Sequence, residues 1–186
     1  MRPYILCMLF VVLSTTVYSQ SASELDSKYG FKKFRFGMSP SQIGNLTAYS
    51  AGKSFKNVDI YKYSGGDISE IRGIRLQDIT LYFYNQKLYR ISVDFGSPIQ
   101  LFSEIDYQII NESLIASFGR GYEIKNKYQG DMLILSSSFW DGRKVRMEYT
   151  RVNLKPDASD KYNHIVGYIL FIEKNLNEQQ KRDELF

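Results

Sequence analysis

One histidine, His164, stands in the whole chain. A metal site built on two imidazoles is therefore excluded, and a Ser-His-Asp triad would have to use this one residue. His164 opens the apolar run Ile165 to Ile172, a setting for a structural or exposed histidine rather than a general base. The sequence holds no phosphate loop of the G-x-x-x-x-G-K type and no H-E-x-x-H pair. Gly119-Arg120-Gly121 follows a helical stretch instead of opening one, so it reads as a helix end and a turn. Among the 20 acidic residues, none stands in an apolar setting that would clearly raise its pKa. No catalytic residue, metal ligand or cofactor is expected, and a hydrolase using carboxylates or Tyr/Arg residues stays open as the alternative.

The residue types that remain are those of recognition. Tyr82, Tyr84 and Arg90 belong to one β-hairpin, and Lys144 and Arg146 to a second, with Trp140 at its turn. Tyrosine, tryptophan and arginine dominate binding hot spots because each joins a large contact area to a polar handle. The same positions also read as ordinary solvent-facing strand residues, with tyrosine chosen for its β-propensity. The two readings part only if both hairpins lie in one sheet, where the aromatics and cations would share a surface.

Strand alternation places these residues. Asp78–Tyr84 and Leu88–Phe95 form the first hairpin. A three-residue loop, Asn85-Gln86-Lys87, sets Ile79, Leu81 and Phe83 beside Tyr89, Ile91, Val93 and Phe95; Thr80, Tyr82, Tyr84, Arg90, Ser92 and Asp94 take the other face. In the second hairpin, Met132–Phe139 and Lys144–Val152 flank Trp140-Asp141-Gly142-Arg143. A three-residue turn with Gly142 left-handed groups Leu133, Leu135 and Phe139 with Val145, Met147 and Tyr149, opposite Ser136, Ser138, Lys144, Arg146 and Glu148. Helices are predicted from the capping signals Ser39-Pro40-Ser41-Gln42, running toward Tyr49, and Ser103, running to Phe118. Phe31 to Phe36 reads as a strand whose basic residues face solvent or an anionic surface, Phe55 to Tyr63 as another, and His164 to Ile172 as a central strand. Phe83, Ile91, Phe118 and Phe171 are expected in the core. The fold class is α+β, an antiparallel sheet with two helices packed on one face. The order of elements suggests two related halves, although no sequence repeat establishes a duplication.

The first residues set the compartment. Arg2, the apolar run Tyr4 to Leu13 and the small polar residues ending at Ser19 follow the order of a secretory signal. A spanning helix needs about 20 apolar residues, and this run breaks at Ser14. Residues 1–19 are thus a signal peptide, and residues 20–186 a single domain, with 20–29 and 175–186 expected as a mobile leader and tail. Cys7 is the only cysteine and leaves with the signal, so the mature chain can form no disulfide. The net charge of +4 drops by one with Arg2, too mild an excess for a nucleic-acid partner. The protein is expected to be exported, periplasmic or extracellular, without stable membrane insertion after cleavage.

The stretch Phe36-Gly37-Met38-Ser39-Pro40-Ser41-Gln42-Ile43, a strand end followed by a capped helix, resembles small bacterial envelope modules. These include outer-membrane assembly lipoproteins of the SmpA/OmlA kind, β-lactamase-inhibitor-like domains and other exported proteins. The chain departs from them in lacking a lipidated cysteine and the inhibitors' disulfides. The resemblance implies binding and scaffolding, without transferring any functional residue. The resulting expectation is an exported binding or accessory module for a protein or glycan partner. Export with cleavage after Ser19 makes Gln20 the first residue of the mature protein. N-terminal sequencing of secreted or periplasmic material should read Gln20, whereas an intact Met1 on membrane-bound protein would contradict it.

Overall fold

The computed structural model describes residues 22–49, 55–97, 102–155 and 164–184. The expected signal peptide 1–19, Cys7 within it, Pro98, residues 156–163 of the polar loop and the last two residues of the tail lie outside the described residues.

Eight strands form one fully antiparallel sheet in the order β3-β4-β7-β8-β12-β11-β10-β9. They are β3 (Leu46–Ala48), β4 (Val58–Tyr63), β7 (Asp78–Tyr84), β8 (Lys87–Phe95), β9 (Tyr122–Gln129), β10 (Met132–Asp141), β11 (Val145–Asn153) and β12 (Ile165–Glu173). Two small hairpins, β1–β2 (Gly30–Phe31, Phe34–Arg35) and β5–β6 (Glu70–Ile71, Ile74–Arg75), stand outside it. The helices are α1 (22–28), α2 (Pro40–Ile43), α3 (Glu104–Phe118) and α4 (Lys174–Glu184).

The core lies on one face of the sheet. Ile79, Leu81 and Phe83 of β7, Ile91, Val93 and Phe95 of β8, and Ile169 and Phe171 of β12 are all buried there, with Val145, Met147 and Tyr149 of β11. The four expected core residues Phe83, Ile91, Phe118 and Phe171 are buried. Helix α3 closes over β10 and β11: Tyr107 stacks on Tyr149 at 4.5 Å and 8°. Its Ser103 cap is as read, with Asp106 N–H donating to Ser103 Oγ at 3.1 Å, and Gly119 ends it at φ 73°. Gly167 of β12 leaves room for Phe102, whose ring stacks on Phe95 at 5.2 Å; a Cβ at 167 would meet that ring at 2.2 Å.

The structure departs from the pattern of the sequence at several places. Residues 31–36 form a hairpin, not one strand, because Lys32 takes a left-handed turn conformation (φ 52°). Helix α2 stops at Gly44 (φ 69°), and residues 46–48 join the sheet as β3 instead of continuing toward Tyr49. The first hairpin turns through only two residues, Asn85 and Gln86, both left-handed (φ 48° and 62°). A bulge at Tyr89 then shifts the ladder by one, which restores the expected pairs Tyr82↔Arg90 and Leu81↔Ile91. The second hairpin pairs Trp140↔Met147, so β10 is flipped relative to the expectation. Trp140 is 4% exposed in the core with its indole N–H on Gly119 O (2.7 Å), and Phe139 takes the opposite face. Serines mislead here because Ser138 is buried by hydrogen bonding, to Asn111 Oδ1 at 3.2 Å and Tyr107 Oη at 3.3 Å. The polar strand β9 and the short hairpin β5–β6 have no apolar alternation to announce them.

Both chain ends read as mobile are helical over the described residues. In α1, Leu25 is buried and Asp26 accepts the backbone N–H groups of Arg143, Lys144 and Val145 at 2.8, 2.8 and 3.0 Å. This carboxylate fixes the β10–β11 turn. It also explains Gly142, which is not left-handed; a Cβ there would lie 2.4 Å from Asp26 Oδ1. In α4, Glu173 caps the helix by accepting from Leu176 N–H at 2.5 Å. Burial opposes ionisation of Asp26, but the N–H bonds from the turn outweigh it and hold its pKa below the ordinary carboxylate value. A lowered folded pKa means stability that is present above the unfolded value, about 3.9, and is lost as pH falls through the folded one. Asp26→Ala should therefore destabilise by about 1–3 kcal/mol at neutral pH. In paired denaturant melts its deficit against wild type should narrow below about pH 4; a deficit independent of pH would contradict this role.

Candidate functional site

The face of the sheet opposite the core carries three continuous cross-strand rows. Ile60, Tyr82, Arg90, Ile172, Arg146 and Asp141 form one, each directly opposite the next from β4 to β10. Beside it run Lys62, Thr80, Ser92, Leu170, Glu148 and Phe139. The third is Asp78, Asp94, Tyr168, Thr150 and Ser137. Both hairpins thus lie in one sheet. Three of the six residues expected at a binding surface, Tyr82, Arg90 and Arg146, fall in a single row.

The other three lie elsewhere. Tyr84 points to this face but is 4% exposed, beneath α4, where its hydroxyl donates to Asp183. Trp140 is on the core face rather than at a turn, and Lys144 is exposed in the β10–β11 turn with its ammonium 5.9 Å from the Tyr29 ring. Their truncation would disturb packing or a turn, not this row.

Arg90 carries an unmatched donor on this face. Its guanidinium sits 5.5 Å from the Tyr82 ring centre and 5.9 Å from that of Tyr89, the bulge residue. Its Nε is buried and has no hydrogen-bond partner among the described residues, and none of their carboxylates lies within 4.0 Å of it. Arg146, by contrast, is paired with Asp141 at 3.2 Å, and Asp141 also holds Lys174 at 3.0 Å. The neighbouring rows are bonded internally: Lys62 to Asp78 and Ser92 to Asp94 at 2.8 and 2.7 Å. Glu148 Oε1 accepts from both Tyr168 Oη and Thr150 Oγ1 at 2.8 Å. Beyond them, exposed Tyr122 lies 6.3 Å from Phe139 on the β9 side.

One acid contradicts the expectation that none is perturbed. Burial pushes the Asp94 carboxyl above its ordinary pKa; the hydroxyl of Ser92 and the charge of Lys62 oppose the shift, and the Asp78 carboxylate directly opposite adds to it. The sequence signal was present in the setting of Asp94 between Val93 and Phe95 on a central strand. Tyr168 was missed because β12 reads as apolar on both faces. Burial, with the charge of Glu148, drives its phenol pKa upward, so it stays a hydrogen-bond donor.

Chemically, the face offers an arginine fork flanked by aromatic rings and a band of hydroxyls and carboxylates. No group of three or more His, Cys, Asp or Glu residues is placed to hold a metal among the described residues, and His164 stands away from this band, before β12. No described helix is long and apolar enough to cross a membrane. No family model, curated protein or solved structure matches the chain.

A carboxyl whose folded pKa is raised holds its proton longer in the folded protein, so stability declines as pH climbs from the unfolded value, about 3.9, through the folded one. Asp94→Asn removes that loss and is nearly isosteric. It should raise the melting temperature at pH 7 and leave it unchanged near pH 3, by calorimetry at both values. A variant less stable than wild type at pH 7 would mean that Asp94 is held ionised.

Proposed function

We propose that this protein is an exported binding module that captures a protein or glycan partner on the open face of its sheet. The observation that carries the reading is Arg90, held between Tyr82 and Tyr89 with a buried Nε that no described group satisfies. That Nε is itself out of a ligand's reach, but the residue is only half-buried and pairs with no described carboxylate, so the outer N–H groups of its guanidinium are the ones that can meet a ligand oxygen. Tyr82 beside it supplies a flat apolar surface with a polar end, which suits a sugar ring or a protein backbone equally. The acids of this face support binding over hydrolysis, because they are engaged with Lys62, Ser92, Tyr168 and Thr150 on an open sheet rather than converging in a cavity.

The order of elements supports reading the domain as two related halves. Each four-strand run follows its own helix, the short α2 before β3 and the longer α3 before β9, and the runs meet last strand to last strand. On that reading α2 and α3 are equivalent helices on the core side, and the binding row spans the seam.

A photo-crosslinking side chain at position 82 tests the site, with the exposed α3 position 105 as control. Exposure of the protein to envelope extract should give a defined adduct from position 82 and not from 105. Arg90→Ala should weaken that capture by at least about 1 kcal/mol, the threshold of a meaningful interface residue, with an unchanged melting temperature. Equal adducts from both positions, or capture indifferent to Arg90, would remove this face as the site.

A further inference from the structure

On the core side of the sheet a cavity of about 380 Å³ opens between α3, β12 and the β1–β2 hairpin. Its interior is apolar: Phe31, Ile110, Leu114, Phe118, Ile169 and Phe171 face it. Its rim is cationic. Lys28, Lys32 and Arg35 line the mouth, and among the described residues no acid lines the cavity. A fourth cation, Arg72 of the β5–β6 turn, reaches the same rim by donating its Nε–H to Ser113 Oγ at 3.0 Å.

These cations are not consumed by ion pairs. Lys32, Arg35 and Arg72 have no carboxylate within 4.0 Å among the described residues, and Lys28 reaches only Glu24, at 3.7 Å on an exposed helix face. Arg35 is instead oriented by backbone, its Nη1 donating to the carbonyls of Lys32 and Phe34. Lys28 lies 4.4 Å from the centre of the Phe118 ring, which brings its charge against the apolar wall. The adjacent Lys33 turns away and pairs with Asp67 at 2.8 Å. The Lys32-Lys33 turn thus sends one charge to the cavity and one to the fold.

We infer that this cavity binds an anionic amphiphile, a single carboxylate on one acyl tail of modest length. The tail fills the apolar interior and the carboxylate meets Lys32 and Arg35 at the mouth. The volume lies at the low end of small-ligand pockets, about 300–1,000 Å³, which fits one short chain and not a two-tailed lipid. An arginine fork already fixed by backbone bonds matches a carboxylate without further ordering. The cavity lies across the sheet from Tyr82 and Arg90, so this inference stands or falls independently of the partner-binding face.

Isothermal titration of the purified protein with decanoate and with decanol separates the two contributions. Decanoate should bind more tightly than decanol, and its affinity alone should fall with added salt. Combined Lys32→Gln and Arg35→Gln, both at exposed positions, should lower decanoate affinity about tenfold or more and leave decanol unchanged. Ser117→Trp, at an exposed α3 position lining the mouth, should abolish binding of both while melting as wild type does. Absence of decanoate binding to wild type, or equal effects of the charge changes on both probes, would overturn the inference. Binding to phosphatidylglycerol vesicles that survives Ser117→Trp would assign the cations to a membrane surface and overturn it equally.

Discussion

The pairing of β8 with β12 is the constraint on which the rest of the molecule depends. It joins two four-stranded meanders that have no other ladder between them, through Ile91↔Phe171, Val93↔Ile169 and Phe95↔Gly167. These six positions are buried, and the bare Gly167 admits Phe102 so that Phe95 is stacked rather than left against a gap. Side chains alternate along a strand, so the ladder that buries this set necessarily presents Arg90, Ser92 and Asp94 beside Ile172, Leu170 and Tyr168 on the other side. The core and the candidate site are two sides of one register.

That second side is not built for stability alone. Asp94 is raised in pKa by its burial and by Asp78 opposite, and Arg90 keeps a buried donor unmatched. Each is a local penalty which an apolar or neutral residue would relieve. The penalties are tolerable because the opposite face carries the packed core, with α3 over Tyr149 and Asp26 holding the β10–β11 turn. Helix α4 covers only part of the second face, engaging Tyr84 through Asp183 and leaving Tyr82 and Arg90 partly exposed.

Much of this was legible in the residues, for reasons that differ by element. The faces of β7 and β8 were read correctly although the turn was not: a two-residue turn plus a bulge gives the same far register as a three-residue turn, and alternation reports only the far register. Tyr82, Arg90 and Arg146 could therefore be grouped from spacing. Strand β10 was read backwards because alternation assumes that serine faces water. Ser136 and Ser138 instead face the core, Ser138 bonded to Tyr107 and Asn111, which puts Trp140 inside. Helices α1 and α4 were hidden by their polarity; their order comes from single tertiary anchors, Asp26, Leu25 and Glu173, that no local pattern reveals. The cation-rimmed cavity assembles residues from α1, two hairpins, α3 and β12, so only its basic segment, Lys32 to Arg35, was visible beforehand.

If the two meanders form one sheet through β8 and β12, Ser92 and Leu170 are directly opposed on the second face. Opposed antiparallel residues lie about 4.5–5.5 Å apart at Cα, within disulfide range. Cys7 is the only native cysteine, so a Ser92→Cys, Leu170→Cys pair in a Cys7→Ser background is an unambiguous reporter. On oxidation of the folded protein, the two thiols should join into an intramolecular disulfide, seen as a shifted band on a non-reducing gel and confirmed by peptide mass. Two free thiols in a folded, oxidised protein would mean that the meanders do not share this seam, and that Tyr82, Arg90 and Arg146 do not share a surface.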